Sequence, residues 1–221
     1  VFKQFIPYFD RDAFIGAGKE IRKRIKRADR MEPTTRTRFM TALFSTFKNP
    51  DKETVLTPWR VVNMHMGDCL GGYNFYDPEY KNPIPDTEDV RYMDIPDVTE
   101  EVFGPKDTKI LEINSKSGLY PLYVTYTIWR KRCTENNIDI TKLTEDDALF
   151  AKALEVWDGV VQNNVYIICK TQMAKSITQR TLCGYRDVKI NAHAFDNLVT
   201  MIKDGKGNKF IEKARSGSTY N

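Results

Sequence analysis

The spacing of apolar residues predicts two helices in the first fifty residues. The first covers residues 10–29 and surrounds a sparse apolar stripe with cations. The second begins near Pro33, which suits a first helical turn because its missing N–H would have no partner there. Apolar residues then recur at i, i+4 and i+8, and these are Phe39, Leu43 and Phe47. We therefore expect residues 1–55 to form a helical N-terminal arm that leans on the main domain.

A third helix is predicted to begin at Thr57-Pro58, because a threonine hydroxyl can cap free N–H groups and proline fits the first helical position. The proline-rich stretch that follows, residues 73–108, shows no sustained apolar period. We expect an extended acidic loop over the surface, not a packed element. Its aromatic residues could stack on nucleic-acid bases, although anchoring the loop is their commoner role. These residues are Tyr73, Phe75, Tyr76 and Tyr80.

From Lys109 onward, short apolar runs alternate with helical patterns. KILEI (109–113) and NVYIIC (164–169) have strand length, and DVKI (187–190) is a third short run. Trp129 falls on the buried side of the helix that follows KILEI. Strands that alternate with helices indicate a parallel α/β sheet with helices on its faces. Residues 56–221 are expected to form the domain that contains this sheet.

Composition narrows the class of protein. The chain has 221 residues, of which 41% are apolar and 29% charged, and this balance excludes disordered, collagen-like and coiled-coil proteins. No apolar run approaches the roughly 18 residues of a membrane span, so we expect no membrane partner. The cysteines lack CxxC spacing and are expected to be reduced core thiols of a cytoplasmic protein. They are Cys69, Cys133, Cys169 and Cys183. With only two histidines, no metal site is predicted.

Charge divides the chain into three parts. Residues 1–60 hold 14 Lys and Arg against 7 Asp and Glu, residues 61–108 hold 3 against 11, and residues 109–221 hold 17 against 12. A basic head can bind nucleic acid, because Lys and Arg displace counterions from phosphate. The same run, KEIRKRIKR (19–27), can equally be the solvated face of a helix. The sequence leaves both interpretations open.

The segment ILEINSKSG places an acidic residue, Glu112, at a strand end before a turn of small residues. Ligands of open parallel sheets bind at the carboxyl ends of strands, where a helix N-terminus follows. This turn lacks the several glycines of a dinucleotide fingerprint, so an ordinary strand-to-helix turn is an equal alternative on this segment alone.

Two segments together carry a resemblance to a known family. TPWRVVNMHM, followed some fifty residues later by ILEINSKSGLYPLYV, resembles the adenine-specific DNA methylases of restriction-modification systems. NVYIICKTQMAKSITQRTL aligns with the second strand and helix of that family, and the resemblance covers roughly residues 50–185. It implies a partial Rossmann-like methyltransferase sheet that binds S-adenosylmethionine and methylates the exocyclic amine of adenine. The implied partners are duplex DNA and other segments or subunits of a restriction-modification enzyme.

The resemblance also implies a set of cofactor-binding residues. Thr57 and Pro58 would pack against the methionine part of S-adenosylmethionine, and Glu112 would face its amino group, which a carboxylate suits. The backbone of the turn would line the same ligand, and the end of the second strand would meet the ribose. The full set is Thr57, Pro58, Glu112, Asn114, Ser117, Gly118 and Cys169.

The chain departs from the family pattern at three places. Lys116 stands where the family has a glycine, and Cys169-Lys170 stands where an acidic residue holds the ribose. The catalytic NPPY-type segment is missing from the sequence. Base flipping and orientation of the amine depend on that segment. We therefore expect no catalytic residue in this chain and no methylation by the chain alone.

Two alternatives remain at the level of sequence. Pro96-Asp97 followed by Asp107-Thr108-Lys109 matches the metal-binding pattern of Mg²⁺-dependent restriction endonucleases, whose carboxylates should flank a hairpin of strands. The departures at Lys116 and Cys169 suit a non-enzymatic nucleic-acid-binding module on a degenerate methylase fold.

Overall fold

A computed structural model describes residues 7, 10–47, 56–195 and 197–215 of the chain. Its helices are α1 (Arg11–Ala28), α2 (Pro33–Ser45), α3 (Trp59–Leu70), α4 (Thr99–Phe103), α5 (Leu119–Glu135), α6 (Asp147–Asn163), α7 (Gln172–Cys183), α8 (Leu198–Lys203) and α9 (Gly207–Arg215). Its strands are β1 (Gly72–Asn74), β2 (Arg91–Met93), β3 (Ile110–Ser115), β4 (Val165–Cys169) and β5 (Asn191–Ala194). Together they make a mixed α/β fold.

A parallel sheet with the order β3-β4-β5 organises the main part of the fold. β3 pairs with β4 from Ile110 opposite Val165 to Ser115 opposite Cys169. α5 and α6 connect β3 to β4, and α7 connects β4 to β5. The predicted α/β class with a small parallel sheet is confirmed.

The third strand lies later in the chain than predicted. It covers Asn191–Ala194, so the prediction of a strand at 187–190 is wrong. Val188 and Ile190 are buried nevertheless. The apolar residues of 187–190 are therefore buried in the segment that leads into β5, but they do not pair with β4.

α5 is the central helix, because most of its side chains are buried. Trp129 of α5 donates from Nε1 to the Ala153 carbonyl of α6 at 2.9 Å. Trp157 of α6 donates to the Leu182 carbonyl of α7 at 2.9 Å. Both indoles therefore keep a hydrogen-bond partner inside the core. The prediction that Trp129 is a core residue is confirmed.

α1 and α2 form the N-terminal arm and pack on each other through Ile25, Ala28, Met40 and Leu43. α2 begins at Pro33, as predicted, after the N-cap Glu32. The predicted apolar stripe is wrong in part, since Phe47 is 44% exposed whereas Arg36 is buried. Arg36 can be buried because it donates to the Thr181 carbonyl of α7 at 2.8 Å. A buried cation therefore ties the arm to the main domain.

Residues 73–108 are more packed than predicted. β1 pairs with β2 in an antiparallel ladder, and the short helix α4 follows. Phe75, Val90 and Phe103 are each at most 5% exposed. The prediction of a surface loop is wrong for the β1-β2 ladder, for α4 and for these three residues. Isolated apolar residues can pack into a core without recurring at the regular spacing of a helix or strand. Anchoring is the role of Phe75 and of Tyr80, which are both buried.

All four cysteines fall inside the described residues and are free thiols. Cys133, Cys169 and Cys183 are buried, whereas Cys69 is exposed on α3, contrary to its predicted place in the core. Within the described ranges, no helix has the length and the apolar character that crossing a bilayer requires.

Candidate functional site

β3 ends in a bulge that turns the chain out of the sheet. Its register with β4 shifts between Ile113 and Ser115, and Asn114 lies between them with a φ of 70°. Asparagine visits this left-handed region more readily than most residues. Gly118, with a φ of 76°, is the N-cap of α5. Residues 114–118, here called the β3 turn, therefore border an open space at the carboxyl end of the strand.

The β3 turn rests on α7. The Thr178 hydroxyl lies 3.2 Å from the Ser115 hydroxyl, and the Thr181 hydroxyl donates to the Ser117 carbonyl at 2.6 Å. An added Cβ on Gly118 would lie 3.0 Å from the Thr178 Cα, so only glycine fits at this approach. The packing of α7 therefore holds the turn in one shape.

An open cleft of about 390 Å³ lies beside the β3 turn. Two separate parts of the chain line it, the segment before α3 and the end of β3 with the start of α5. Four of the seven predicted site residues line this cleft, and these are Thr57, Glu112, Asn114 and Ser117. The other lining residues are Leu111, Ile113, Lys116 and Tyr120. The structure therefore brings Thr57 and Glu112 to one cleft.

Glu112 is the acidic group of the cleft. Burial raises the pKa of its carboxyl to about 7, and a hydrogen bond with Ser115 opposes the rise. Its Oε2 is buried and has no hydrogen-bond partner among the described residues. Ionising a partly buried carboxyl, one of whose oxygens has no hydrogen-bond partner among the described residues, costs free energy. A cation beside it would offset that cost. The site is therefore suited to an amine or another cationic group.

The cleft includes a tyrosine that is not among the predicted site residues. The Tyr120 side chain lines the cleft, and its hydroxyl lies 3.1 Å from Nδ1 of His65 on α3. Burial raises the pKa of Tyr120, and the charge of Glu112 adds to the rise. A signal existed in the sequence, because Tyr120 falls in the first turn of the helix that follows Gly118. Ser115, which supports Glu112, was also missing from the predicted site residues.

The other three predicted site residues lie around the cleft and do not line it. Gly118 is buried under the turn as the N-cap of α5. Pro58 lines a separate cavity between α2 and α3. It is also the N-cap of α3 and no side chain caps that helix, so the prediction of a Thr57 cap is wrong.

Cys169 does not line the cleft that contains Glu112. It lines a neighbouring cavity of about 470 Å³ together with Asn114 and Lys170. Burial raises the pKa of its thiol to about 11, so the thiol stays protonated at neutral pH. The end of β4 therefore offers no carboxylate to this cavity, and it offers the cation Lys170 instead.

The arrangement that an endonuclease site requires is not formed by the described residues. Asp97 and Asp107 lie on either side of α4, and the strands nearest to them, β2 and β3, belong to different sheets. Among the described residues, no group of three or more His, Cys, Asp or Glu side chains could hold a metal ion.

Glu112 is the third residue of β3 and does not stand at the strand end as predicted, because the strand continues to Ser115. The arrangement therefore consists of a partly buried carboxylate within β3, a fixed turn of small residues and the start of a long helix. Such a site can hold a small ligand with one cationic and one anionic group. Comparison of the chain with protein-family models, curated proteins and solved structures finds no significant match.

Proposed function

We propose that this chain is the cofactor-binding part of a DNA adenine methyltransferase of the restriction-modification type. Such an enzyme transfers a methyl group from S-adenosylmethionine to the exocyclic amine of adenine in duplex DNA. One observation carries the proposal: Thr57 and the buried carboxylate Glu112 line one cleft at the carboxyl end of a parallel strand. These are the two segments on which the sequence resemblance rests.

The charged groups of the cofactor match the charges of the cleft. S-adenosylmethionine carries an amine and a sulfonium, both cationic, and Glu112 supplies the carboxylate that would face the amine. The carboxylate of S-adenosylmethionine would lie at the start of α5, where no side chain caps the first turn of the described helix. Free N–H groups at a helix N-terminus favour an anion. Asn114 and Ser117 would contact the ligand between these two ends.

The adenosine end of the cofactor is held less firmly in this proposal. The end of β4 carries Cys169 and the exposed Lys170, and neither can accept two hydrogen bonds from ribose hydroxyls. Lys116 also lines the cleft and repels a cationic ligand. We therefore propose weak binding of the cofactor by the chain alone.

The catalytic residues would come from another segment or subunit. β3 is an edge strand, and no strand within the described residues pairs with its outer edge. Leu111 and Ile113 of β3 are 47% and 58% exposed, which is unusual because parallel strands are ordinarily covered on both faces. A further segment of the same enzyme would cover this exposed face or pair with this edge, and it would place its catalytic residues beside Glu112.

Calorimetric titration with S-adenosylmethionine tests the proposal. We expect binding to the wild-type chain and at least a tenfold loss of affinity in Glu112→Ala, because the amine would lose its charged partner. The matched control is Glu145→Ala, which removes an exposed carboxylate before α6. S-adenosylhomocysteine, which lacks the sulfonium charge, is expected to bind more weakly than S-adenosylmethionine.

Two outcomes would contradict the proposal. The first is equal affinity of wild-type, Glu112→Ala and Glu145→Ala chains, which would place the ligand elsewhere. The second is no binding by a chain whose circular dichroism shows that it is folded. The second outcome, combined with salt-dependent binding to duplex DNA, would favour the non-enzymatic module instead.

A further inference from the structure

Exposed cations are concentrated in the C-terminal part of α1 and at Arg30, two residues after the helix ends. Seven cationic side chains fall between residues 19 and 30, and these are Lys19, Arg22, Lys23, Arg24, Lys26, Arg27 and Arg30. Arg24 pairs with Glu20 at 3.0 Å. The other six form no salt bridge with an acidic side chain in the part of the chain that the structure describes. The charge of this helix is therefore largely uncompensated.

Three cations converge on a single aromatic ring at this helix. The Arg180 guanidinium carbon lies 4.2 Å from the centroid of the Tyr185 ring, that of Arg22 lies at 5.2 Å, and Lys26 Nζ lies at 5.7 Å. The negative face of the ring attracts each cation, but the cations repel one another. Such a cluster is stabilised further by an anion. The seven cations between residues 19 and 30, with Arg180 and Tyr185, are here called the cationic surface.

The cationic surface is held by contacts below it. The Asp29 carboxylate at the end of α1 accepts a hydrogen bond from the Tyr185 backbone N–H at 2.8 Å. The Arg180 side chain donates to the Gly184 carbonyl at 2.7 Å, and the buried Arg36 donates to the Arg180 carbonyl at 3.1 Å. These contacts fix α1 against the loop after α7. The end of α1 and the Arg180 side chain are therefore already positioned when a ligand binds.

We propose that the cationic surface binds the phosphate backbone of duplex DNA. From Lys19 to Arg30 the chain advances about 17 Å at the helical rise of about 1.5 Å per residue. A duplex carries one negative charge per about 1.7 Å of its axis, so about ten phosphates fall within that length. This inference rests on the proposed function for the identity of the polyanion, and it names the surface that contacts it.

The burial of the apolar side of α1 favours a DNA duplex over a lipid surface as the ligand. A helix that lies on a membrane needs a free apolar face. Ile25 and Ala28 are buried against α2, and Ile21 packs against the same cluster. The exposed Phe14 and Ile15 precede the cationic surface. Between residues 19 and 30, α1 therefore exposes cations and leaves no apolar side chain fully exposed for insertion into a bilayer.

α7 connects the cationic surface to the cleft. Thr178 and Thr181 support the β3 turn, whereas Arg180 belongs to the cationic surface. Because these three residues lie within one turn of a single helix, the two sites share a rigid support. A duplex on the cationic surface would be fixed relative to the candidate cofactor site.

Fluorescence anisotropy with a labelled duplex of about 20 base pairs, roughly two helical turns, tests the inference. We expect Arg22→Glu combined with Lys26→Glu to weaken binding at least tenfold and to reduce the slope of log affinity against log salt by about 2, since each lost phosphate contact removes about 0.9. The control is Lys142→Glu combined with Lys152→Glu, which changes the net charge equally at exposed sites outside α1. We expect the control to stay within about threefold of wild type, because reversal of distant charges acts only through the screened overall field.

Equal loss in both double variants would overturn the inference, because binding would then follow net charge alone. Binding to vesicles with anionic lipid but not to the duplex would also overturn it. Titration with S-adenosylmethionine separates this inference from the proposed function, since Arg22 and Lys26 lie outside the cleft. DNA binding that depends on Arg22 and Lys26 in a chain that binds no cofactor would uphold the inference and reject the methyltransferase.

Discussion

Glu112 is the residue on which the chemistry of the cleft depends. The pKa of its carboxyl rises from an ordinary value of 4.5 to about 7 in the folded chain, because it is buried. The folded state therefore binds the proton more tightly than the unfolded state. By linkage, the free energy of unfolding falls as the pH rises from about 4.5 to about 7, by at most about 3 kcal/mol. A ligand cation beside the ionised carboxylate would offset this penalty.

Replacing Glu112 by glutamine should remove this pH dependence. The amide cannot ionise, so we expect Glu112→Gln to gain stability relative to wild type between about pH 5 and about pH 8. Urea denaturation at the two pH values measures the difference in the free energy of unfolding. Glu145→Gln, at an exposed carboxylate, is the control. Identical pH dependence in wild type and Glu112→Gln would show that burial does not perturb the carboxyl.

Lys116 should weaken the binding of a cation to the cleft. It lines the cleft beside Glu112, where its ammonium repels an amine or a sulfonium. We expect Lys116→Gly to raise the affinity for S-adenosylmethionine about fivefold, equivalent to about 1 kcal/mol of removed repulsion. Lys116→Gln removes the charge and keeps most of the volume, so comparing the two variants in calorimetric titrations separates charge from crowding. Unchanged affinity in both would mean that the ligand does not approach this side chain.

At the scale of elements, Arg36 joins the N-terminal arm to the main domain. Its guanidinium donates to the Thr181 carbonyl at 2.8 Å and lies 3.7 Å from the Asp29 carboxylate. Burial lowers its pKa to about 10, so it stays charged. We expect Arg36→Ala to cost about 3 kcal/mol, because the buried carbonyls and Asp29 would lose their partner. Chemical denaturation measures this, with the exposed Arg24→Ala as a control that should change little. A small loss in Arg36→Ala would show that the arm is not held by this contact.

Elements with a clear period were predictable and the others were not. The α5 helix and the β3 and β4 strands follow from apolar spacing, and Pro33 marked the start of α2. The strand β5 and the buried residues of 73–108 were missed, because their burial comes from contacts distant in sequence. The bulge at Asn114 could not be predicted, because it does not change the spacing of apolar residues in the sequence. At the site, the resemblance named Thr57 and Glu112, whereas Tyr120 was missed because helical spacing alone assigns an aromatic residue to the core.

At the scale of the whole molecule, the central helix α5 and a small parallel sheet support two surfaces of different character. The cleft beside β3 presents a buried carboxylate to a small cation, and the cationic surface presents exposed cations to a polyanion. Both are supported by α7, and the edge of β3 that no described strand pairs with lies beside the cleft. This arrangement suits an enzyme part that holds a cofactor and a duplex while another segment supplies the chemistry.

The measurement that tests the central claim most directly is the affinity for S-adenosylmethionine as a function of pH. Because the pKa of Glu112 is about 7 in the folded chain, the carboxylate is mostly protonated at about pH 6 and ionised at about pH 8. The amine of the cofactor itself loses its proton near pH 8, so the comparison is made with Glu112→Gln at each pH. We predict that the affinity of wild type relative to that of Glu112→Gln rises about tenfold between these pH values. The same pH dependence in both chains, or no binding at either pH, would contradict the assignment of the cofactor site to Glu112.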